Sequence, residues 1–443
     1  MHKILKTTSI LALTVAVSAC SIFESKGPKQ KYNDEGKERL SILSDVTSIQ
    51  ADPSIASVPV VLPAPYTNKN WAQPGGAPSH VLHHLAAPET LSKAWTASMK
   101  ASNSKYERVI ASPVAGGGKV FSVDAKGTVY GFSLQNGSRL WSYDITIDEK
   151  VKMGYGGGVT YADGVVYATS GFGIMVALDA DSGRELWTFK YTVPFRGAPT
   201  VAENKVFATT HDNLMVAVDV KTGAFVWDQV GIMESAGMLG SASPAYHDGS
   251  LIFALSSGEM IARRAANGLT LWQDTLKSSR RLTPLATLTD IDAHPVIDRG
   301  RAYGVSHSGR MVSIDMRSGE RVWEADIAGV NTPWIAGNFA FVTTVDAQII
   351  CLSLADGRIR WVQQLQRFED QEKRRDLIKW NGPLLAGNRL FVTSSHGYML
   401  TLSPYDGDVI SGVNVKDGMT TSPIIVDGTL ITLTDTGKLI AYR

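Results

Sequence analysis

The chain has 443 residues and a formal net charge of +1, and 44% of its residues are hydrophobic while 19% are charged. This composition excludes a disordered or collagen-like chain, and a core of this size needs no disulfide support. The near-neutral charge, without a basic stripe, gives no reason to expect a nucleic-acid partner.

The first twenty residues predict a secretory signal that ends in a lipid-attachment site. A basic start precedes an apolar run over 10–17, which is too short to span a membrane, and small residues lead to Cys20. The ending Val-Ser-Ala-Cys resembles a bacterial lipoprotein box, in which the cysteine receives a diacylglycerol and becomes the first residue after cleavage. We therefore expect residues 1–19 to be a signal peptide and Cys20 to be lipidated. Because Ser21 follows, by analogy with such signals, the expected location is the periplasmic face of the outer membrane.

Residues 20–70 are predicted to form the lipidated N-terminus and a flexible tether. This stretch is polar at first and rich in proline later, as in the sequence Val-Pro-Val-Val-Leu-Pro-Ala-Pro over 58–65. Such a composition is typical of an extended linker and not of a packed domain. The folded domain is expected to occupy residues 71–443.

From Trp95 onward one pattern recurs: a glycine, three further residues and a tryptophan. A last copy at 406–411 keeps the turn but has Ser411 in place of the tryptophan. Seven steps separate Trp95 from Ser411, so each unit has about 45 residues, as in a four-stranded propeller blade. The tryptophans expected to dock against a neighbouring unit are Trp95, Trp141, Trp187, Trp227, Trp272, Trp323 and Trp361.

Each unit repeats the same order of strand and turn signals. A third β-rich run has a small residue at its fourth position in every unit, and Cys351 is one of these. We therefore interpret Cys351 as a packing residue where blades approach closely, because no second thiol is nearby and free cysteine is commonly buried. Eight first strands can be counted, but only seven fourth strands follow them.

The missing fourth strand predicts how the ring closes. The last unit, 422–443, is incomplete, while the segment 91–95 carries an extra fourth-strand tryptophan before the first unit. Pairing the two segments leaves no unit with an unpaired inner edge. The sequence therefore predicts an all-β fold, an eight-bladed β-propeller with four-stranded antiparallel blades whose last blade is closed by an N-terminal strand.

The repeat resembles that of the quinoprotein-type propellers, and two further segments narrow the resemblance. Residues 71–80 read Trp-Ala-Gln-Pro-Gly-Gly-Ala-Pro-Ser-His, and residues 289–295 read Thr-Asp-Ile-Asp-Ala-His-Pro. Together with the leader, they make residues 70–443 similar to the BamB family, lipoproteins of the outer-membrane β-barrel assembly machinery. The resemblance implies a non-enzymatic scaffold with no cofactor. It also implies binding to the POTRA domains of BamA and to other subunits of the machinery, with unfolded outer-membrane proteins as possible further partners.

The resemblance places the partner contact on two inter-blade loops of one rim. The first corresponds to 231–243, where Met238 and Leu239 match an apolar pair that an arginine follows in the family. That arginine is missing here, because Leu239 occupies roughly its position. Arg280 and Arg281 are the candidates to replace it.

The second loop corresponds to 276–292, where Asp290 and Asp292 match an acidic pair of the family. A loop of this length without secondary structure is often functional. The alternative is that the two aspartates only cap a turn, as aspartate often does. A second insertion, 366–380, carries mixed charges, which are typical of a solvated helix or loop.

Three other functions remain open at this point. A PQQ-dependent quinoprotein dehydrogenase shares the repeat, but it would need a calcium site built from several oxygen ligands and typically an adjacent-cysteine disulfide, which this sequence does not have. A zinc site at His83-His84 or a phosphate site at 154–158 lacks the motif context that either chemistry requires. A binder of unfolded chains would instead offer an open strand edge.

Overall fold

The computed structural model describes residues 49–101, 111–145, 156–234, 240, 242–277 and 289–443. In these residues the protein is an eight-bladed β-propeller of four-stranded antiparallel sheets, so the predicted fold class is confirmed. No helix in the described ranges is both long and apolar enough to cross a membrane. Several predicted features lie outside the described residues: the signal peptide 1–19, Cys20, Met238, Leu239, Arg280 and Arg281.

The strands follow one another in chain order, and each of the first seven blades uses four consecutive blade strands. Before them come a short 3-10 helix, Pro53–Ile55, and β1 (Lys93–Ser98). Blade one contains β2 (Val114–Gly116), β3 (Lys119–Val123), β4 (Thr128–Ser133) and β5 (Arg139–Asp144). Blade two contains β6 (Gly157–Ala162), β7 (Val165–Ser170), β8 (Ile174–Asp179) and β9 (Glu185–Lys190). Blade three contains β10 (Thr200–Ala202), β11 (Lys205–Thr209), β12 (Leu214–Asp219) and β13 (Phe225–Val230). Blade four contains β14 (Ala245–His247), β15 (Ser250–Ala254), β16 (Glu259–Arg264) and β17 (Thr270–Thr275).

The second half of the ring repeats this arrangement. Blade five contains β18 (Val296–Asp298), β19 (Arg301–Val305), β20 (Met311–Asp315) and β21 (Arg321–Ala325). Blade six contains β22 (Trp334–Ala336), β23 (Phe339–Thr343), β24 (Gln348–Ser353) and β25 (Ile359–Gln364). A hairpin of β26 (Phe368–Asp370) and β27 (Arg375–Leu377) precedes blade seven, with β28 (Trp380–Ala386), β29 (Arg389–Ser394), β30 (Tyr398–Leu402) and β31 (Val409–Asn414). Blade eight contains β32 (Ile424–Val426), β33 (Thr429–Leu433) and β34 (Lys438–Tyr442).

Ring closure follows the prediction made from the unpaired tryptophan. β1 pairs antiparallel with β34, and Trp95 lies opposite Ala441. Blade eight is thus the sheet β1-β34-β33-β32, built from both ends of the propeller domain. The charged insertion 366–380 differs from its prediction as a solvated helix or loop, because it folds into the β26–β27 hairpin.

The repeated tryptophans join each blade to the next, as the sequence predicts. In one example, Trp187 Nε1 of β9 donates a hydrogen bond to the carbonyl oxygen of Val220 in blade three, at 3.0 Å. Gly223 of the same turn has a φ of 69°, and a Cβ there would fall 2.6 Å from the indole, so only glycine leaves room for the ring. The other six repeat tryptophans make the same bond, at 2.9 to 3.2 Å.

The fourth position of each third strand is small for a related reason. It lies directly opposite the tryptophan of its own blade, as Ala217 lies opposite Trp227 and Cys351 lies opposite Trp361. A larger side chain would meet the indole that crosses over it. Cys351 is fully buried, and burial raises the pKa of its thiol, which agrees with a packing role.

Residues 49–70 differ from the prediction of a flexible tether, because they lie against the propeller. The amide of Asp52 donates to the carbonyl oxygen of Ile359 in β25 at 2.7 Å, and Ile55 and Val60 are buried. We call residues 49–60 the strap, because they run along the outer strand of blade six. The folded part of the chain therefore begins before residue 71.

Residues 68–85, which we call the plug, cross the central axis and contact all eight blades. Main-chain hydrogen bonds connect the plug to six of them, through Ala115, Tyr161, Tyr246, Ile297, Leu385 and Asp427. Side chains reach the other two, where Gln73 accepts from the amide of Val201 and Trp334 donates to the carbonyl oxygen of His83. The plug therefore holds the ring at one end of its axis.

Candidate partner-binding surface

The two ends of the propeller differ in what lies on them. The plug contacts the first strand of each blade towards the turn that leads into its second strand, as at Tyr161 in β6. The connections that lead from one blade into the next must therefore lie at the opposite end. We call these the closed end and the loop end, and both loops that the sequence assigns to partner binding belong to the loop end.

At the loop end, a buried ion cluster joins two connections that are not neighbours in the ring. Arg196, in the connection that enters blade three, donates from Nη2 to Asp290 and to Asp292 Oδ1, the latter at 2.8 Å. Both aspartates belong to the connection that enters blade five. The side chains of Arg196 and Asp290 are each 2% exposed, and that of Asp292 is 8% exposed. The three side chains, called the ion cluster below, are closed off from solvent.

Backbone contacts on both sides fix the position of Arg196. Its amide donates to the carbonyl oxygen of Thr209 in blade three at 2.8 Å, and its carbonyl oxygen accepts from Gly157 of blade two at 3.2 Å. The preceding residue, Phe195, is fully buried and bridges to Thr210. Main-chain contacts with two blades and the buried Phe195 therefore fix the position of Arg196.

The aspartates are held in a similar way by the residue between them. Ile291 is fully buried, and its amide donates to the carbonyl oxygen of Leu255 at 3.3 Å. Asp292 also packs against the backbone of Gly240, where a Cβ would lie 1.3 Å from Oδ1 of the carboxylate. Any side chain at position 240 would displace the carboxylate, so the connection that enters blade four also shapes the cluster.

Burial and a neighbouring charge shift the pKa of Asp292. Burial, reinforced by the charge of Asp290, raises the pKa of Asp292 to about 7, although Arg196 opposes the shift. A proton on Asp292 would leave one guanidinium facing one carboxylate. Burial therefore favours the protonated form of Asp292.

A pair of neutral histidines lies next to the cluster and reaches the plug. His80 of the plug is within hydrogen-bonding distance of the carbonyl oxygen of Pro295, 2.7 Å from Nδ1, and its ring centroid lies 5.1 Å from that of His294. The amide of Ser243 donates to His294 Nδ1 at 2.8 Å. Burial lowers the pKa of His80 to about 4 and that of His294 well below its usual value. The plug thus contacts the connection that carries the aspartates.

Exposed aliphatic side chains lie beside the ion cluster. Val230, Ile232 and Met233 are all more than half exposed, and we call them the rim patch. Asn213 supports the patch by donating from Nδ2 to the carbonyl oxygen of Ile232 at 2.7 Å. The same turn, 210–213, also contacts the connection that carries Arg196. One turn therefore supports both the rim patch and the connection that carries Arg196.

The structure changes the interpretation of the predicted site residues. Asp290 and Asp292 are brought together, but they face Arg196 and are buried, so they are not exposed contact residues. Arg196 was missed, although it follows the apolar Phe195 in the connection one blade earlier than the loop we assigned. The family pattern of apolar residues followed by arginine, sought in that earlier connection, would have found it.

The fold is shared with quinone-dependent enzymes, whose calcium needs several oxygen ligands. Among the described residues, no three side chains of His, Cys, Asp or Glu form a group that could hold a metal ion. The two carboxylates that do lie together, Asp290 and Asp292, are occupied by the guanidinium of Arg196. The donors in the described part of the chain do not fit such a cofactor.

Comparisons with known proteins agree on one family. The family described as outer membrane protein assembly factor BamB matches residues 83–152 and 147–363. BamB of Escherichia coli is 31% identical over 248 residues, which cover 55% of this chain and 63% of that protein. The matched region spans 65% of the length of two Rickettsia relatives and 63% of that of the Escherichia coli protein, in each case less than two thirds.

Solved structures show the same fold at low identity. BamB from Moraxella catarrhalis superposes with a TM-score of 0.68 at 18% identity, covering 80% of this chain and all of that one. A quinohemoprotein alcohol dehydrogenase from Comamonas testosteroni gives 0.65 at 13% identity, covering 84% of this chain and 80% of that enzyme. Because assembly factor and enzyme superpose almost equally well, the fold alone does not separate the two functions.

Proposed function

The chain belongs to the BamB family of outer membrane protein assembly factors, and from that premise we propose that it is a non-enzymatic scaffold of the β-barrel assembly machinery. Its proposed partners are the POTRA domains of BamA and other subunits of the machinery, and its proposed task is to assist the folding and insertion of β-barrel proteins. The observation that carries the proposal is the rim patch, an exposed aliphatic cluster supported by the ion cluster beside it.

The rim patch has the composition of a binding surface. Val230, Ile232 and Met233 are adjacent in sequence and exposed, and contiguous exposed apolar residues commonly mark a protein interface. Met238 and Leu239, which follow in the sequence outside the described residues, are proposed as further contacts. An apolar centre with polar residues around it is the arrangement that carries most of the binding energy in protein interfaces.

The ion cluster supports this surface indirectly. Arg196, Asp290 and Asp292 are too buried to be the main contacts, so we assign them the task of holding two connections in a fixed relation. A pre-formed surface loses less conformational entropy on binding than a mobile one. Removing Arg196 should therefore weaken partner binding by loosening the surface.

We also propose that a lipid anchors the protein to the membrane. Cys20, after removal of the signal peptide 1–19, is proposed to carry the lipid that holds the protein at the periplasmic face of the outer membrane. Residues 20–48 then connect the anchor to the strap. Membrane attachment is proposed to occur through this lipid alone.

The test is capture of BamA from solubilised envelope by the mature protein. Met233→Glu should reduce capture about tenfold or more, because a carboxylate would be desolvated in an apolar interface. The matched control is Val61→Glu at the closed end, because Val61 and Met233 are both 66% exposed. Val61→Glu should leave capture unchanged.

Two results would contradict the proposal. Equal capture by both variants would remove the rim patch from the interface. Recovery of no assembly subunit by the wild-type protein would reject the scaffold function itself. Thermal unfolding of each variant checks that the propeller remains folded.

A further inference from the structure

The outer strand of each blade presents unpaired main-chain groups to solvent, and such edges readily pair with other chains. Charged residues on an edge strand oppose this pairing. Seven of the eight outer strands carry at least one charged residue, such as Arg139 in β5 or Asp228 in β13. β31, with the sequence Val-Ile-Ser-Gly-Val-Asn, carries none.

β31 is also the only outer strand that buries no side chain. The other seven bury their tryptophan, but in β31 Ser411 takes that position and lies within hydrogen-bonding distance of the Thr401 hydroxyl, at 2.7 Å. The reason is the ring closure. In blade eight, the turn that would hold the receiving glycine is replaced by the two chain segments at Ser92 and Arg443. An indole on β31 would have no glycine to pack against.

Ring closure explains the missing tryptophan but not the aliphatic residues that remain exposed. Val409, Ile410 and Val413 are all more than two fifths exposed on this one strand. β-Branched residues without charge on an exposed strand favour pairing with another strand. No strand in the described part of the chain pairs with the outer edge of β31.

The neighbouring blade shows what kind of chain can cover an outer strand. On blade six the strap lies along β25, where the amide of Asp52 donates to the carbonyl oxygen of Ile359. Arg360 of β25 stands where other outer strands carry an exposed aliphatic residue, and it donates to the carbonyl oxygen of Val58 at 2.8 Å. A single chain segment bound through its main-chain groups, and not a folded domain, thus covers this outer strand.

We propose that β31 binds an extended, uncharged β-strand of an unfolded polypeptide by adding it as a fifth strand to blade seven. Main-chain hydrogen bonds would supply the affinity, while Val409, Ile410 and Val413 select apolar side chains in alternation with polar ones. This pattern is that of the strands of outer-membrane barrels, so the inference rests on the proposed function for the source of the strand. A second copy of the chain is a poorer fit, because a six-residue edge buries far less than the roughly 1,000 Å² of a stable interface.

The experiment measures binding of a fluorescent peptide of about ten residues that alternates valine and threonine, with a lysine at each end. The full mature protein is titrated into the peptide, and fluorescence anisotropy is recorded. Ile410→Lys should weaken binding about tenfold, because a lysine on an edge strand opposes strand addition. The control is Leu140→Lys on β5, since Leu140 occupies the equivalent position and is 46% exposed compared with 55% for Ile410.

Three outcomes would overturn the inference: no binding by the wild-type protein, equal weakening by both variants, or a wild-type dimer in sedimentation that Ile410→Lys dissociates. Val413→Lys is a second variant on the same strand and should act like Ile410→Lys. Capture of BamA is measured in parallel and should be unchanged in all three variants. Absence of peptide binding by the wild-type protein, with its BamA capture intact, would reject this inference alone, whereas failure of the wild type to capture BamA would reject the proposed function.

Discussion

The closed end and the loop end of this propeller are built from the same eight blades, yet they are stabilised by different interactions. At the closed end, the plug is held by main-chain hydrogen bonds and buried side chains such as Trp71 and Leu85. At the loop end, Arg196 bridges two buried carboxylates, and the rim patch beside them is exposed. Buried ion pairs contribute little net stability, and exposed aliphatic clusters contribute none. The closed end is therefore explained by folding, while the loop end carries features that folding does not require.

The largest expected effect comes from removing the aromatic anchor of the plug. Trp71 is 4% exposed, and its ring stacks on Trp334 of blade six with centroids 6.2 Å apart. Trp71→Ala should lower the free energy of unfolding by about 3 to 5 kcal/mol, through the lost contacts and the cavity left behind. Denaturant unfolding measures this, with the exposed Tyr66→Ala as the control.

The same substitution tests whether the two ends have separate tasks. BamA capture by Trp71→Ala should remain unchanged at temperatures where the variant is folded. Loss of capture by the folded variant would show that the closed end also forms part of the interface, and the separation of tasks would fail.

A smaller effect on stability is expected from the loop end. Arg196→Ala would leave two carboxylates buried without their cation, which costs about 3 kcal/mol even if Asp292 takes up a proton. Chemical denaturation at pH 8 is the measurement. Adding Asp290→Asn and Asp292→Asn to this variant should recover much of the loss, because no charge is then buried. If the triple variant is no more stable than Arg196→Ala, the guanidinium acts through packing and not through its charge.

The smallest effect is a pH dependence of opposite sign at the two ends. The folded state binds the proton of Asp292 more strongly than the unfolded state does, because its pKa of about 7 lies above the ordinary aspartate value of 3.8. Its contribution to stability therefore increases as the pH falls from 7 towards 4. His80 has a folded pKa of about 4, below the ordinary histidine value of 6.5, so its contribution is lost as the pH falls through that range.

Two substitutions separate these contributions. Relative to the wild-type protein, Asp292→Asn should be more stabilising at pH 8 than at pH 5, and His80→Gln should be more stabilising at pH 5 than at pH 8. Each difference should be about 1 kcal/mol, well below what an isolated shift would give, because the groups are coupled to charged or ionisable neighbours. Urea denaturation at the two pH values measures both, and shifts of the same sign would contradict the assignment.

The sequence predicted the ring far better than it predicted the loop end. The spacing of glycine and tryptophan recurs around the ring, and each tryptophan makes the same contact with the next blade. Eight blades and the β1–β34 closure could therefore be deduced. Arg196 occurs once, and its partners are two blades away along the chain. No local spacing indicates such a contact, because it depends on how separate connections meet over the ring.

The extended N-terminal segment was misjudged for another physical reason. Proline-rich composition correctly indicates extended backbone, but the same backbone can be free in solvent or laid against a surface. The strap and plug are irregular and yet packed, since the blades supply hydrogen-bond partners for main-chain groups that the segment does not pair within itself. Composition reports the conformation of such a segment and not its environment.

The pairing of β1 with β34 has a consequence for how the chain reaches its native state. Trp95 meets Ala441 only after every intervening blade has been synthesised, so the contacts that seal the circle have very long loops to close. Domains with such distant pairings fold slowly, and until β1 is in place the edge of β34 in the last blade is open to other chains. We therefore expect the newly made protein to depend on protection from aggregation until its final strand is in place.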